Sequence, residues 1–421
     1  MNRSVSKDRT APESGACRSV EELIVDPSHS GCASADLRVA IVHDWLVTYA
    51  GAERVLEQIL ALFPTADLYT ICDFVPKDQR AFLNGRQPRT SFVQRLPLAR
   101  RHYRSYLPLM PLAVEQFDLS GYDLIISSSH SVAKGVITGP DQKHLCMCYS
   151  PMRYAWDLTH EYLREARLSR GLRSPLARYL LHRLRNWDYR TAAGVDEFIA
   201  ISDFVRRRIR KVYGRDAEVV YPPVDVDQFE VSSQRDDYYV TVSRLVPYKR
   251  VHLMIEAFAG MPDRRLVVIG DGPEMSRLRR TAPSNVQLLG RQPAAVVREQ
   301  VAHARAFVFA ATEDFGIAMV EAQACGTPVI AFGRGGALEI VASEQSGMFF
   351  HEQSTASLSS VLKRFEREGV AWGPEAIRRH STRFSIGRFR HEFTTLVQSL
   401  ANGRMQGTRA PHFVRPSSES R

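Results

Sequence analysis

Short apolar runs punctuate this chain, each ending in polar or glycine residues. "RVAIVHD" at 38–44 is the first, and "AGAERVLEQILALF" follows with Val55, Ile59, Leu60 and Phe63 spaced for one helix face. Runs that are apolar throughout, rather than alternating, suit parallel strands covered on both faces. The pattern recurs in "YDLIISSSH" (122–130), "HLCMCYS" (144–150) and "EFIAIS" (197–202). It then restarts in "YYVTVSRL" (238–245), "RRLVVIGDG" (264–272), "NVQLLGR" (285–291), "AFVFAAT" (306–312) and "PVIAFGRGG" (328–336). Two successive β/α series predict an α/β chain of two Rossmann-like domains, and 421 residues accommodate both. Pro222-Pro223 interrupt the pattern near the joint. The expected divisions are 38–205 and 206–385, then a final helix over 386–402. Residues 1–37, rich in Ser, Pro, Gly and charge, and residues 403–421 read as disordered tails.

The formal net charge of +10 suits an acidic partner: nucleic acid, anionic lipid or a phosphorylated substrate. Six cysteines include one close pair, Cys146 and Cys148, with no second pair to complete a zinc site. They read as reduced, buried thiols of a cytosolic protein. Residues 1–37 hold no apolar core of a signal peptide. No run approaches the ~20 apolar residues of a membrane span, so the expectation is a soluble or peripheral protein.

Ligands of open α/β sheets bind beyond the carboxyl ends of the strands. In the second series those ends carry Arg244 and Lys249, then Gly270-Asp271-Gly272, then Gly290-Arg291, then Glu313 to Gly316, then Gly333-Arg334-Gly335-Gly336. Cations with glycine-rich backbone at helix N-termini are what a diphosphate requires. Within "EDFGIAMVEAQACGTPV" (313–329), Glu313 falls on a loop at a strand tip and Glu321 one turn into the next helix, where a carboxylate is favoured. Ile317, Val320 and Ala324 share a face of that helix. A carboxylate accepting two hydrogen bonds matches the adjacent hydroxyls of a ribose, which suits Glu321 and leaves Glu313 for a reacting group. The alternative is a loop glutamate plus a solvent-facing helical one.

"SRLVPYKRVHLMIEAF", "VVIGDGPEMSRL", "EDFGIAMVEAQACGTPVIA" and "GRGGALEIV" in series resemble the C-terminal domain of the retaining glycosyltransferases of family 4, and the likeness runs from about 38 to 400. "RYAWD" (153–157) and "SSSHSVAKG" (127–135) are most similar to the O-antigen mannosyltransferase branch. The resemblance implies a GT-B fold, two domains facing each other across a cleft with a C-terminal helix returning to the first. It implies a nucleotide-sugar donor, GDP-mannose by the branch, with no other cofactor. Arg244 and Lys249 match the pair that holds the donor diphosphate. Glu313 matches the glutamate at the transferred sugar, and Glu321 the one on the ribose. Phe315, Gly316 and Ile317 match the backbone segment at sugar and phosphate. Gly270, Gly290 and Arg291 fall with the donor-binding strand tips. Gly51 matches a glycine of the N-terminal loop at the phosphates. Many members have two glycines there; this chain has Ala50-Gly51, whose extra methyl needs a negative φ.

Where the family often has a histidine before the Ser-Pro, this chain has Tyr149, a poor base at neutral pH. His130, at another strand end, either faces the cleft as a catalytic group or is a satisfied structural histidine. Transfer with retention is usually viewed as front-face attack assisted by the leaving phosphate, so no strong protein base is needed. No Asp-x-Asp motif stands at a strand tip, and a metal-independent reaction is expected.

Residues 86–104 hold six arginines and no acid, interleaved with Phe92, Leu96, Leu98 and Tyr103. Residues 164–190 hold eight against Glu165 and Asp188, and Ser174-Pro175 predict a helix start with Leu176, Leu180, Leu184 and Trp187 along one face. No RNA-binding signature accompanies them, so nucleic acid is not expected. A saccharide or polyprenyl-diphosphate-linked acceptor at an anionic membrane, on its cytoplasmic inner face, is expected, against a merely solvated basic face. Two other readings stand beside the enzyme: a catalytically silent nucleotide-sugar-binding scaffold of the same fold, and a nucleotide-sugar epimerase.

Overall fold

The computed structural model describes residues 37–401, so the expected tails, apart from Leu37, lie outside the described residues, as do Cys17 and Cys32. Strands β1 (Val39–His43), β2 (Asp67–Thr70), β3 (Arg89–Thr90), β4 (Leu124–Ser129), β5 (Lys143–Cys148), β6 (Glu197–Ala200) and β7 (Glu218–Val219) form one sheet. Its order is β3-β2-β1-β4-β5-β6-β7. Strands β8 (Tyr238–Val242), β9 (Arg265–Ile269), β10 (Val286–Gly290), β11 (Ala306–Phe309), β12 (Val329–Phe332) and β13 (Gly347–Phe350) form the other, in the order β10-β9-β8-β11-β12-β13. Neighbouring strands run parallel throughout, for example Val39↔Leu124 and Tyr238↔Arg265. Helices cover the sheet faces, which is why β1, β11 and β12 are buried along their whole length and read as unbroken apolar runs.

The topology locates the site. Strand order reverses between β1 and β4 in the first sheet and between β8 and β11 in the second. Crevices for ligands open at the carboxyl ends beside such reversals. Asp44 and His130 follow β1 and β4; Arg244 and Glu313 follow β8 and β11.

The first half does not end at 205 as expected. The helix Asp203–Tyr213 leads into β7, which pairs with β6 through Ile199↔Glu218 and Ala200↔Val219. A two-residue strand carries no readable period, and β3 escaped for the same reason. The chain then crosses at 220–224 and returns beside its outward path, where the Val224 amide donates to the Phe384 carbonyl at 2.8 Å. The helix Ile386–Ala401 returns to the first half as expected, with Phe389, Phe393, Val397 and Leu400 buried. Its Arg390 donates to Gln58 of the helix Gly51–Leu62 at 2.7 and 3.0 Å.

Two local expectations need correction. The helix Ser174–Thr191 buries Leu184 and Trp187, but Leu176 is 61% exposed, so the expected apolar face does not extend to its first turn. Ser174 makes no cap; its hydroxyl accepts from Arg178 at 3.2 Å instead. In 86–104, Leu98 is exposed but Tyr103 is buried, because that ring packs against Trp45 at 5.5 Å. Cys72, Cys146, Cys148 and Cys325 are buried free thiols.

Candidate active site

At the first sheet's reversal, Asp44 is fully buried and saturated. Its carboxylate accepts the amides of His130 at 2.6 Å and of Val132 and Ala133 at 2.7 Å each, and lies 2.9 Å from His130 Nδ1. Burial alone would raise this carboxyl, but the charge and hydrogen bonds of His130 outweigh it and bring it down to about 2. Burial likewise disfavours a charged His130, and Asp44 outweighs it, holding the ring above the ordinary histidine value. The ring is 32% exposed, edge-on to Trp45 at 4.7 Å. With Nδ1 engaged by Asp44, Nε2 is the nitrogen left for a ligand.

Tyr149 is a brace. Its buried hydroxyl donates to the Ala52 carbonyl at 3.1 Å and meets Ser128 Oγ at 2.8 Å, tying β5 and β4 to the helix Gly51–Leu62. Gly51 opens that helix, and a methyl added there would lie 3.2 Å from Ile317 Cδ1. Two helix N-termini from the two halves therefore meet, and their partial positive charges converge. Ala50 has φ −140°, an extended backbone that accepts its methyl.

In the second half, Arg244 is exposed just beyond β8 and reaches toward the first half. Burial raises the Tyr103 hydroxyl there, while Arg104 and, more weakly, Arg244 lower it. Lys249 is ion-paired with Glu313, and both side chains are largely buried. Gly270 has φ +133°, and a Cβ on it would fall 1.9 Å from the Ser243 carbonyl oxygen, so only glycine fits that turn. Its amide donates to the Gly290 carbonyl at 2.8 Å. Arg291 is exposed at the tip of edge strand β10, two strand positions from β8, about 10 Å at ordinary spacing. Gly316, at φ +110°, turns the chain into the helix Ile317–Ala324. Phe315 points away from the opening, stacked with Tyr221 and edge-on to Phe384 at the crossing, so only its backbone borders the site.

Glu321 is ion-paired with Arg54, which comes from the opposite half. Asp314, beside Glu313, is bound still more heavily. Arg208 reaches it at 2.7 Å, Arg153 at 3.1 Å, and Ser202 donates to its carbonyl at 2.5 Å, all from the first half. Burial raises the Asp314 carboxyl above its ordinary range even with both arginines beside it. Glu339 adds a further bond between halves, accepting the amides of Asp203 at 2.7 Å and Phe204 at 3.1 Å. Asp44, Arg54, Arg153, Arg208 and Asp314 are thus site residues that sequence reasoning did not single out. Asp44 had a visible signal as the polar end of the first apolar run, and Arg153 opens the RYAWD segment; Arg54 and Arg208 had none, because Glu321 and Asp314 lie more than 100 residues from them.

Two family models match successive segments: Glycosyltransferase Family 4 over 49–228, and Glycosyl transferases group 1 over 225–379. A GDP-mannose-dependent monoacylated alpha-(1-6)-phosphatidylinositol monomannoside mannosyltransferase of Corynebacterium glutamicum is 32% identical over 199 residues, covering 40% of this chain and 52% of that protein. A GDP-mannose-dependent alpha-(1-6)-phosphatidylinositol monomannoside mannosyltransferase of Mycolicibacterium smegmatis is 31% identical over 206 residues, covering 41% and 52%. The chain thus spans about half the length of the curated relatives it matches. In solved structures, HepE of Anabaena in complex with UDP aligns with TM-score 0.62 at 18% identity over 86% of this chain and 100% of that one. Sucrose-phosphate synthase from Thermosynechococcus elongatus aligns with TM-score 0.66 at 16% identity, covering 87% and 100%. The fold is GT-B, with a Glycosyltransferase Family 4 match over the first half and a Glycosyl transferases group 1 match over the second.

Proposed function

We propose that this chain, with its two glycosyltransferase domains, is a retaining, metal-independent hexosyltransferase that uses GDP-mannose. The acceptor is a saccharide or polyprenyl-diphosphate-linked saccharide of a cell-surface polysaccharide, met at the inner face of the membrane. The observation that carries the reading is the pairing of His130 with Asp44 at one sheet reversal and of Lys249 with Glu313 at the other, with helix N-termini of the two halves meeting at Gly51 and Ile317. The mannosyl donors and lipid acceptors in the relatives' names support the donor and acceptor class.

The donor diphosphate lies between the helix N-termini, with Arg244 and Lys249 countering the charge that grows on the leaving group. These fixed cations take a metal's role. Glu321 accepts from the ribose hydroxyls, and Glu313 borders the transferred hexose. His130, oriented by Asp44, presents Nε2 to the hexose from the acceptor side. The leaving phosphate takes the acceptor proton as the hydroxyl attacks the same face. Arg95, Arg100, Arg101 and Arg104 are exposed around Leu98, which supports contact with an anionic surface. Among the described residues no helix is long and apolar enough to cross a membrane.

The test has two parts. Thermal shift with GDP-mannose, UDP-glucose and UDP-N-acetylglucosamine identifies the donor. Turnover by Glu313→Ala and Glu321→Ala then separates roles: the first should lower kcat, the second should raise donor KM, since the ribose does not change during transfer. A shift without transfer leaves the silent nucleotide-sugar-binding scaffold, and no shift with any of the three overturns the proposed donor.

A further inference from the structure

In the first half, between the segment 155–160 that follows β5 and the helices Ser174–Thr191 and Asp203–Tyr213, lies a cavity of about 470 Å³. Its wall is apolar, with Trp156, Leu181 and Val212, and its cations are Arg178, Arg185 and Lys211. Among the described residues none of these cations is paired with a carboxylate. The lining acid, Asp157, is already taken by Arg208. Arg185 is held in place by the Ala155 carbonyl at 2.9 Å and Arg178 by the Ser174 hydroxyl at 3.2 Å. Each guanidinium has five N–H donors, so most of each fork remains uncommitted. Like charges gathered without a counter-charge repel, and an anion relieves that repulsion. Arginine forks match the oxygens of a phosphate. On the same helix Leu176 and Tyr179, three residues apart, are exposed, and Leu172 just before it is fully exposed.

We propose that this cavity binds a phosphate ester. The ester is either the headgroup of a membrane phospholipid, its chains lying along Leu172, Leu176 and Tyr179, or a free phosphorylated metabolite. The site shares no residue with the donor machinery, so it stands or falls separately from the transferase reading.

Glycerol 3-phosphate is titrated by calorimetry into the full chain, into Arg178→Gln/Lys211→Gln, and into Lys249→Ala. The double variant should bind about tenfold more weakly or not at all, and Lys249→Ala should bind like wild type. Binding lost in Lys249→Ala but kept in the double variant overturns the proposal, since the ligand then reports the donor clamp. The second arm is flotation with phosphatidylglycerol–phosphatidylcholine vesicles against phosphatidylcholine alone, with Arg170→Gln/Arg173→Gln as a control of equal charge outside the cavity. Phosphatidylglycerol-dependent flotation that falls about fivefold in the cavity variant and not in the control identifies the lipid. Glycerol phosphate binding lost with flotation unchanged identifies a free metabolite. Equal loss in both double variants with no glycerol phosphate binding, or no difference in either arm, overturns the site. Should the double variant fail to fold, the exposed Lys211→Gln alone carries the same comparisons.

Discussion

In the first half, Asp44 fixes His130 through bonds that stay inside one sheet reversal and leave the carboxylate wholly buried. In the second, Glu313 and Glu321 are held by single cations, and the cation on Glu321 comes from the other half. Lys249, Glu321 and Glu313 are the groups proposed for the donor's diphosphate, ribose and hexose. The first half therefore presents a finished group, while the second holds its groups in pairs that a donor must exchange. The exception in the second half is Asp314, whose two arginines and serine tie it to the first half without touching the proposed donor. Asp314 decides whether the comparison holds, because it joins the two regions.

The largest effect is expected there. Asp314→Ala takes the carboxylate from Arg153 and leaves Arg208 with Asp157 alone, and breaking a buried pair by removing one partner costs on the order of 3 kcal/mol. Melting temperature should fall and the radius of gyration in solution scattering should rise as the halves part. If both stay at wild-type values, Asp314 does not hold the halves together, and the closed arrangement owes itself to the crossing and to Glu339.

Next comes the exchangeable pair itself. Lys249→Ala removes the charge-assisted contact proposed for the leaving group, worth about 1.5–3 kcal/mol, so turnover should fall ten- to hundredfold with the fold intact. Its effect on donor affinity should be smaller than on turnover, because freeing Glu313 from Lys249 offsets part of the lost attraction. Wild-type turnover would remove Lys249 from the leaving-group site.

These two residues mark what the sequence could and could not tell. Glu313, Glu321, Arg244 and Lys249 were legible because strand tips, glycine turns and helix starts are local patterns, and the parallel sheets make each strand an unbroken apolar run. Asp314 was in view, in the same loop as Glu313, yet nothing local distinguishes a carboxylate that faces a ligand from one clamped by arginines 106 and 161 residues away. Arg54 sits on the helix Gly51–Leu62, where an arginine ordinarily marks a solvated face. The boundary near 205 was misjudged because a two-residue strand is fixed by its neighbour, not by its own residues.

Asp44→Asn tests the finished group. His130 is raised, so its pairing contributes stability fully present below the ordinary histidine value and lost as pH rises through the raised one. Asp44, at about 2, contributes stability present above the ordinary aspartate value and lost as pH falls through about 2. Asparagine removes both contributions. The His130 titration followed by NMR should move to lower pH, and the pH dependence of turnover should move with it, with a loss of about tenfold or less near neutrality. An unmoved titration would mean that the backbone, not Asp44, sets the ring.

The smallest effect, and the sharpest test of exchange, belongs to Arg54→Ala. In the structure Arg54 occupies Glu321, the carboxylate proposed for the ribose. An ion pair whose arginine is 41% exposed is worth at most about 1 kcal/mol, so a donor displaces it at modest cost. Removing Arg54 frees Glu321 in advance. Donor affinity should therefore stay level or improve by about threefold, while kcat is unchanged, since the ribose contact is the same in ground and transition states. Glu321→Ala acts oppositely and weakens the donor. If Arg54→Ala weakens the donor as much as Glu321→Ala does, Arg54 is itself a donor contact. The second half's pair is then as finished as Asp44 and His130, and the difference between the two halves disappears.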